Sequence, residues 1–98
     1  MDIATLTQKM SEKAGNAPAL DRTVKFDFGD EGMIFVDGYN NNAVSNEDGD
    51  ADCTVVVTIS DFVDMYKGDL NPMNAFMGGK LKVLGDMSVA MKLQSLLG

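Results

Sequence analysis

Asn71-Pro72-Met73-Asn74-Ala75-Phe76-Met77-Gly78-Gly79-Lys80-Leu81-Lys82-Val83-Leu84-Gly85-Asp86-Met87 holds three structural elements in one run. Asn71 is a helix-capping residue, and Pro72 suits the first helical position, where no backbone N–H is needed. Met73, Phe76 and Met77 follow at helical spacing, and Gly78-Gly79 ends the helix. Leu81 to Leu84 reads as a short strand. Gly85-Asp86 then opens a final helix, Met87 to Leu97.

Upstream, Ile3, Leu6 and Met10 predict a helix over 3–14, stopped by Gly15-Asn16-Ala17-Pro18. Thr23 to Phe28 alternates apolar and polar residues, as a half-buried strand does. Gly29-Asp30-Glu31-Gly32 is a hairpin turn, and Met33 to Tyr39 a second strand with a bulge at Gly38. Asn40-Asn41-Asn42 turns the chain into a weak third strand, Ala43 to Asn46. Glu47 to Asp52 is an acidic loop, and Asp52 to Ile59, with three consecutive valines, is the strongest strand. Ser60 caps a helix carrying Phe62, Met65 and Tyr66, which ends at Gly68. This order predicts one α+β domain over 1–98, with antiparallel hairpins at its start. Strands four and five, if adjacent, are expected to be parallel through a right-handed crossover.

The formal net charge is −7 and there is no histidine. Such a surface repels phosphate, so nucleic acid is not an expected partner. It also disfavours stable docking on anionic lipids, leaving transient membrane contact at most, through Lys80, Lys82 and Lys92. With Cys53 the sole cysteine, no internal disulfide forms, and Met1 to Met10 does not read as a signal peptide. No apolar run approaches the ~20 residues of a spanning helix. The carboxyl end is neither a prenylation box nor a peroxisomal tripeptide. A cytoplasmic location is expected.

Catalytic motifs are poorly supplied. A serine or cysteine nucleophile lacks its usual histidine base. Asp48-Gly49-Asp50-Ala51-Asp52 fails as an EF-hand, because its sixth and twelfth positions are Cys53 and Ile59. Gly78-Gly79-Lys80 lacks the Walker spacing and leads into a strand. Cys53, in an apolar strand, reads as a small core residue. No catalytic residue, metal site or cofactor is expected.

The methionines point elsewhere. Of eight, Met65, Met73, Met77, Met87 and Met91 fall on helices in the last third. Methionine suits surfaces that adapt to variable apolar partners. On the final helix, Ser88, Lys92 and Ser95 form one narrow polar stripe. Met87, Val89, Ala90, Met91, Leu93, Leu96 and Leu97 cover most of the remaining circumference, more than one sheet face buries. Gln94 lies alone inside that arc, between Met87 and Met91, and a buried amide needs a partner.

The run 71–87, followed by Ala90-Met91-Lys92-Leu93-Gln94, strongly resembles the signature of the sterol carrier protein 2 family. Ala51-Asp52-Cys53-Thr54-Val55 and Ser60-Asp61-Phe62 resemble that family's central strand and helix start. The resemblance implies a five-stranded mixed, mostly antiparallel sheet with helices on one face, enclosing an apolar tunnel. It implies binding and intracellular transfer of a fatty acid, fatty acyl-CoA, phospholipid, sterol or isoprenoid, without a reaction. Phe76, Met77, Met87, Met91 and Gln94 are implied as tunnel residues. Phe62, Met73 and Ala90 complete the expected lipid-binding set. Longer relatives carry a C-terminal extension that helps close the tunnel. Here the chain stops at Gly98, so a pocket that is open-ended, shallower or closed by a second subunit is expected, in a short form that looks bacterial. The alternative is an accessory protein for a lipid-metabolising enzyme, as in ubiquinone biosynthesis. It would use the apolar final helix to dock or to form a homodimer.

Overall fold

The computed structural model describes residues 2–89 and 91–92. The elements run α1 (Ile3–Asn16), β1 (Thr23–Asp27), a 3₁₀ turn (Gly29–Glu31), β2 (Met33–Asp37), β3 (Ala43–Ser45), β4 (Cys53–Val56), α2 (Ile59–Lys67), α3 (Pro72–Met77) and β5 (Lys82–Gly85). Residues 87–89 and 91–92 are helical and are called the last helix below.

The strands form one sheet in the order β3-β2-β1-β4-β5. Val24 stands opposite Val36 and Cys53, and Phe26 opposite Ile34 and Val55. The alternation therefore lands every one of these apolar residues on one face. Leu6, Met10 and Ala14 of α1 and Ile59, Phe62 and Met65 of α2 cover that face in a single core. The architecture is the expected five-stranded mixed α+β sheet with helices on one face. Three of its four strand pairs are antiparallel, and β1–β4 is parallel.

Two expectations need correction. β4 and β5 are adjacent but antiparallel, with Val56 opposite Lys82 and Cys53 opposite Gly85. The α2–α3 excursion leaves the sheet beyond Val56 and returns at the same end, so the strand direction reverses. The crossover is made instead by the acidic loop 46–52, which carries the chain from β3 past β2 and β1 to β4. It lies over the sheet face without helices: Lys25 Nζ is 3.2 Å from Asp48 Oδ1, and Gly49 lies beside the Phe35 ring.

The second correction concerns the cap of α2. Thr58, not Ser60, caps the helix, accepting the Asp61 N–H at 3.1 Å on its Oγ1. Ile59 is already helical because it belongs to the buried i, i+3 series Ile59, Phe62, Met65. Strand ends and the first helix also shift by a few residues, as helix and strand ends commonly do.

Three exposed carboxylates fasten chain ends and turns. The Thr5 hydroxyl and N–H hold the Asp2 pKa below the usual carboxylate range. Asp52 is lowered mainly by the Thr23 N–H, and also by the hydroxyls of Tyr39 and Thr23. Asp86 is lowered by the Ser88 hydroxyl and N–H. A depressed folded-state pKa gives stability that is present above the unfolded value, about 4, and lost as pH falls through the folded value. Denaturant titrations from neutral to strongly acid pH are expected to show stability falling below about pH 4. Asp52→Asn should reduce that slope.

Candidate functional site

Asn71 Oδ1 accepts the N–H groups of Met73 at 2.8 Å and Asn74 at 3.4 Å, which starts α3 with Pro72 in its first turn. The end is equally local. The N–H of Gly78 bonds the Asn74 carbonyl at 2.9 Å, and the N–H groups of Lys80 and Leu81 both return to the Ala75 carbonyl. Gly79 turns the chain at φ +79, where a side chain would be strained. In this six-residue helix the only buried side chain is Ala75. Met73 and Met77 are 63% and 78% exposed, and Phe76 is 41% exposed.

The last helix repeats this division. Asp86 accepts from the Ser88 N–H at 2.9 Å and from the Ser88 hydroxyl. Its own N–H bonds the Asp52 carbonyl at 2.9 Å, which ties the helix start to the head of β4. Gly85, at φ +99, passes so close to that carbonyl that a Cβ there would collide with it. Val89 points into the core with no exposure. Met87 and Met91, one turn apart, are both exposed. Between the two helices in sequence lies the edge strand β5. Val83, opposite Val55, leans on the core, and Leu84 faces outward.

Of the expected lipid-binding residues, the structure leaves Met73, Phe76, Met77, Met87 and Met91 as exposed apolar side chains, on the helices that precede and follow β5 in the chain. Ala90 and Gln94 lie outside the described residues. Phe62 is different: it is fully buried, edge-on to Phe26 at 5.1 Å and to Phe28 at 5.4 Å. Sequence reasoning did not pick out Leu84. Its signal was the alternation Leu81, Lys82, Val83, Leu84, in which Leu84 falls on the lysine's face.

These side chains invite cover. Removing apolar surface from water is favourable by roughly 25 cal/mol per Å², and several large side chains here retain most of theirs. Chemistry of other kinds is sparse. Cys53 is buried, and burial, then the Asp86 charge, pushes its thiol pKa up, away from the reactive thiolate. Among the described residues no group of three or more His, Cys, Asp or Glu is placed to hold a metal ion. No helix among them is long and apolar enough to cross a membrane. An open cleft of about 610 Å³ is lined by Ile3, Ile59 and Val63 and rimmed by Asp2, Glu31, Ser60 and Asp64. None of the expected lipid-binding residues among those described lines it.

Comparison with known proteins gives a consistent result. The family described as the SCP-2 sterol transfer family matches residues 3–98. Human sterol carrier protein 2 is 44% identical over 64 residues, which cover 65% of this chain but only 12% of that protein. The palmitated SCP2L2 of Aedes aegypti superposes with a TM-score of 0.78 at 20% identity, covering 99% of this chain and 95% of that one. A ubiquinone synthesis protein, UbiJ-SCP2, superposes with a TM-score of 0.72 at 21% identity, covering 96% and 90%. At these identities the superpositions establish the fold.

Proposed function

The chain belongs to the SCP-2 sterol transfer family, and from that membership and the exposed apolar side chains on the helices before and after β5 we propose that it is a non-enzymatic carrier of an apolar lipid. The ligand class is a fatty acid, fatty acyl-CoA, phospholipid, sterol or isoprenoid. Phe76, Met77, Met87, Ala90 and Met91 contact the acyl or ring body, Met73 borders it, and Gln94 meets its polar head. Phe62 supports this site from within the core, packed against Phe26 and Phe28.

One observation carries this reading. Six of the seven large apolar side chains exposed among the described residues fall between Met73 and Met91. Flexible methionines accommodate several ligand shapes. That the related mosquito protein is described as palmitated supports a fatty acyl ligand here.

Displacement of a fluorescent fatty acid tests the reading. The double variant Met77→Ser, Met91→Ser is expected to weaken uptake about tenfold or more. Both sites are exposed, so its stability should stay within about 0.5 kcal/mol of the parent. Unchanged uptake by this variant counts against the assignment.

A second reading is favoured by the likeness to the ubiquinone synthesis protein. In it, the same apolar edge docks on an enzyme that works on a lipid-like substrate, or forms a homodimer. Light scattering and pull-down of the serine variant separate the two readings. Lost self-association or partner capture with intact fatty acid uptake supports the second.

A further inference from the structure

The open cleft at the start of α1 and α2 has a composition of its own. Ile3 and, one turn apart on α2, Ile59 and Val63 give it an apolar lining, and Asp2, Glu31 and Asp64 rim it. The 3₁₀ turn is pressed against the helix start, since a Cβ on Gly32 would lie 3.3 Å from Ile3 Cγ1. The three segments that meet here, residues 2–5, 28–32 and 58–64, carry five acidic side chains and no lysine or arginine. The rest of the chain carries ten acidic and eight basic side chains and is close to balanced. Most of the net negative charge is therefore gathered around one apolar cleft.

Helix formation accounts for only part of this charge. Asp2 caps α1, and Asp61 sits in the first turn of α2, where a carboxylate suits the dipole. Glu31 and Asp64 have no such task. Asp64 is half-buried in the middle of α2, and neither side chain has a hydrogen bond or ion pair among the described residues. Unpaired carboxylates around apolar side chains suit a partner that brings cations and apolar groups together.

We infer that this cleft docks a basic amphipathic helix of a partner protein. Apolar side chains on one face of that helix cover Ile3, Ile59 and Val63, and lysines or arginines at its flanks meet Asp2, Glu31 and Asp64. The rim repels anionic lipid headgroups and the carboxylate of a fatty acid, so it is not a second lipid site. A second copy of this chain is a poor occupant too. Among its described helices α3 has no cation and α2 is net acidic, while Lys9 and Lys13 of α1 are half-buried, with Lys13 over the Tyr66 ring. None of the described lipid-binding residues lines the cleft, so a docked partner leaves the proposed carrier site free.

Titration of the ¹⁵N-labelled full chain with a synthetic helical peptide of about 18 residues tests the inference, with leucines spaced i, i+3, i+4, i+7 and lysines elsewhere. Amide shifts are expected to centre on residues 2–5, 29–32 and 59–64, and binding should fall with added salt. A peptide with glutamate in place of lysine, and one with serine in place of leucine, should each bind at least about tenfold more weakly. The variant Glu31→Gln, Asp64→Asn is expected to lose about fivefold in affinity, as two exposed ion pairs permit. The charge-matched control Glu47→Gln, Asp50→Asn, in the loop over the opposite sheet face, should stay within about twofold of the parent. Circular dichroism of each variant checks the fold. No binding, equal binding of the serine peptide, shifts centred on residues 73–91, or equal losses in the two variants would overturn the inference. Concentration-dependent shifts at residues 2–5 without peptide would show the cleft filled by a second copy and overturn it as well. Displacement of a fluorescent fatty acid, expected to be unchanged in both variants, reads the carrier function separately. Its failure sinks the carrier reading and leaves the docking inference standing.

Discussion

Phe62→Ala is expected to destabilise the domain by about 3–5 kcal/mol, the cost of emptying a fully buried aromatic site. The Phe62 ring has no exposure and sits edge-on to both Phe26 and Phe28. Each edge-to-face pair contributes roughly 0.5–1.5 kcal/mol beyond burial. It also joins α2 to the central strand β1, so the cavity opens where helix and sheet meet. A 98-residue domain has about 5–15 kcal/mol of total stability, so the variant loses a large part of it. Thermal unfolding should shift by roughly 12 °C or more. Phe62→Leu, which keeps most of the volume, should recover over half of the loss. A near-neutral Phe62→Ala would mean that the ring borders empty space and not a packed core. The contrast with Met77→Ser, expected to leave stability nearly unchanged, separates what holds the fold from what is left over for a ligand.

Asn42→Ala is expected to cost about 3 kcal/mol or more. Asn42 is 4% exposed and is the only buried polar residue among those described. Its Oδ1 accepts the Leu20 N–H at 3.0 Å, and its Nδ2 donates to the carbonyls of Ala14 and Pro18, both at 3.1 Å. One amide thus ties the end of α1 and the following loop to the β2–β3 turn. Alanine leaves three backbone groups without that partner, at about 1–3 kcal/mol for each that water does not reach. It also occupies φ +57, a left-handed conformation that asparagine tolerates better than alanine. Asn42→Asp distinguishes packing from hydrogen bonding. A carboxylate there still accepts from Leu20 but faces two carbonyl oxygens, so its pKa rises. Its penalty should be small at a pH below the unfolded value of about 3.9 and grow as pH rises above it. Urea titration at acid and neutral pH measures this difference. A pH-independent penalty would contradict the donor role of Nδ2.

Much of the architecture was legible in local patterns. Val24 and Phe26 announced the inward face of β1, and Asn71-Pro72 and Gly78-Gly79 bracketed α3. What stayed hidden depends on contacts distant in sequence. Asn40-Asn41-Asn42 reads as a turn, but nothing local says that the third asparagine is buried and bridges to residues 14–20. Ser60-Asp61 looks like a cap, yet burial of Ile59 draws the helix start one residue earlier and hands capping to Thr58. The direction of β5 rested on the length of its connection, and two helices that return to their point of departure reverse it. At the candidate site, helical spacing grouped the methionines, of which Met73, Met77, Met87 and Met91 are exposed and Met65 is buried. It did not separate them from Phe62, because inward and outward residues of one helix share the same periodicity. Ala75 and Val89 define the inward side of their helices, and only packing identifies them.

The carrier reading is tested most directly by native mass spectrometry of the full chain, purified without detergent and again after incubation with palmitate. The account predicts the 10.5 kDa chain together with a one-to-one adduct of lipid mass, removed by organic extraction and restored by palmitate. A bare chain under both conditions, from protein shown to be folded, would contradict it.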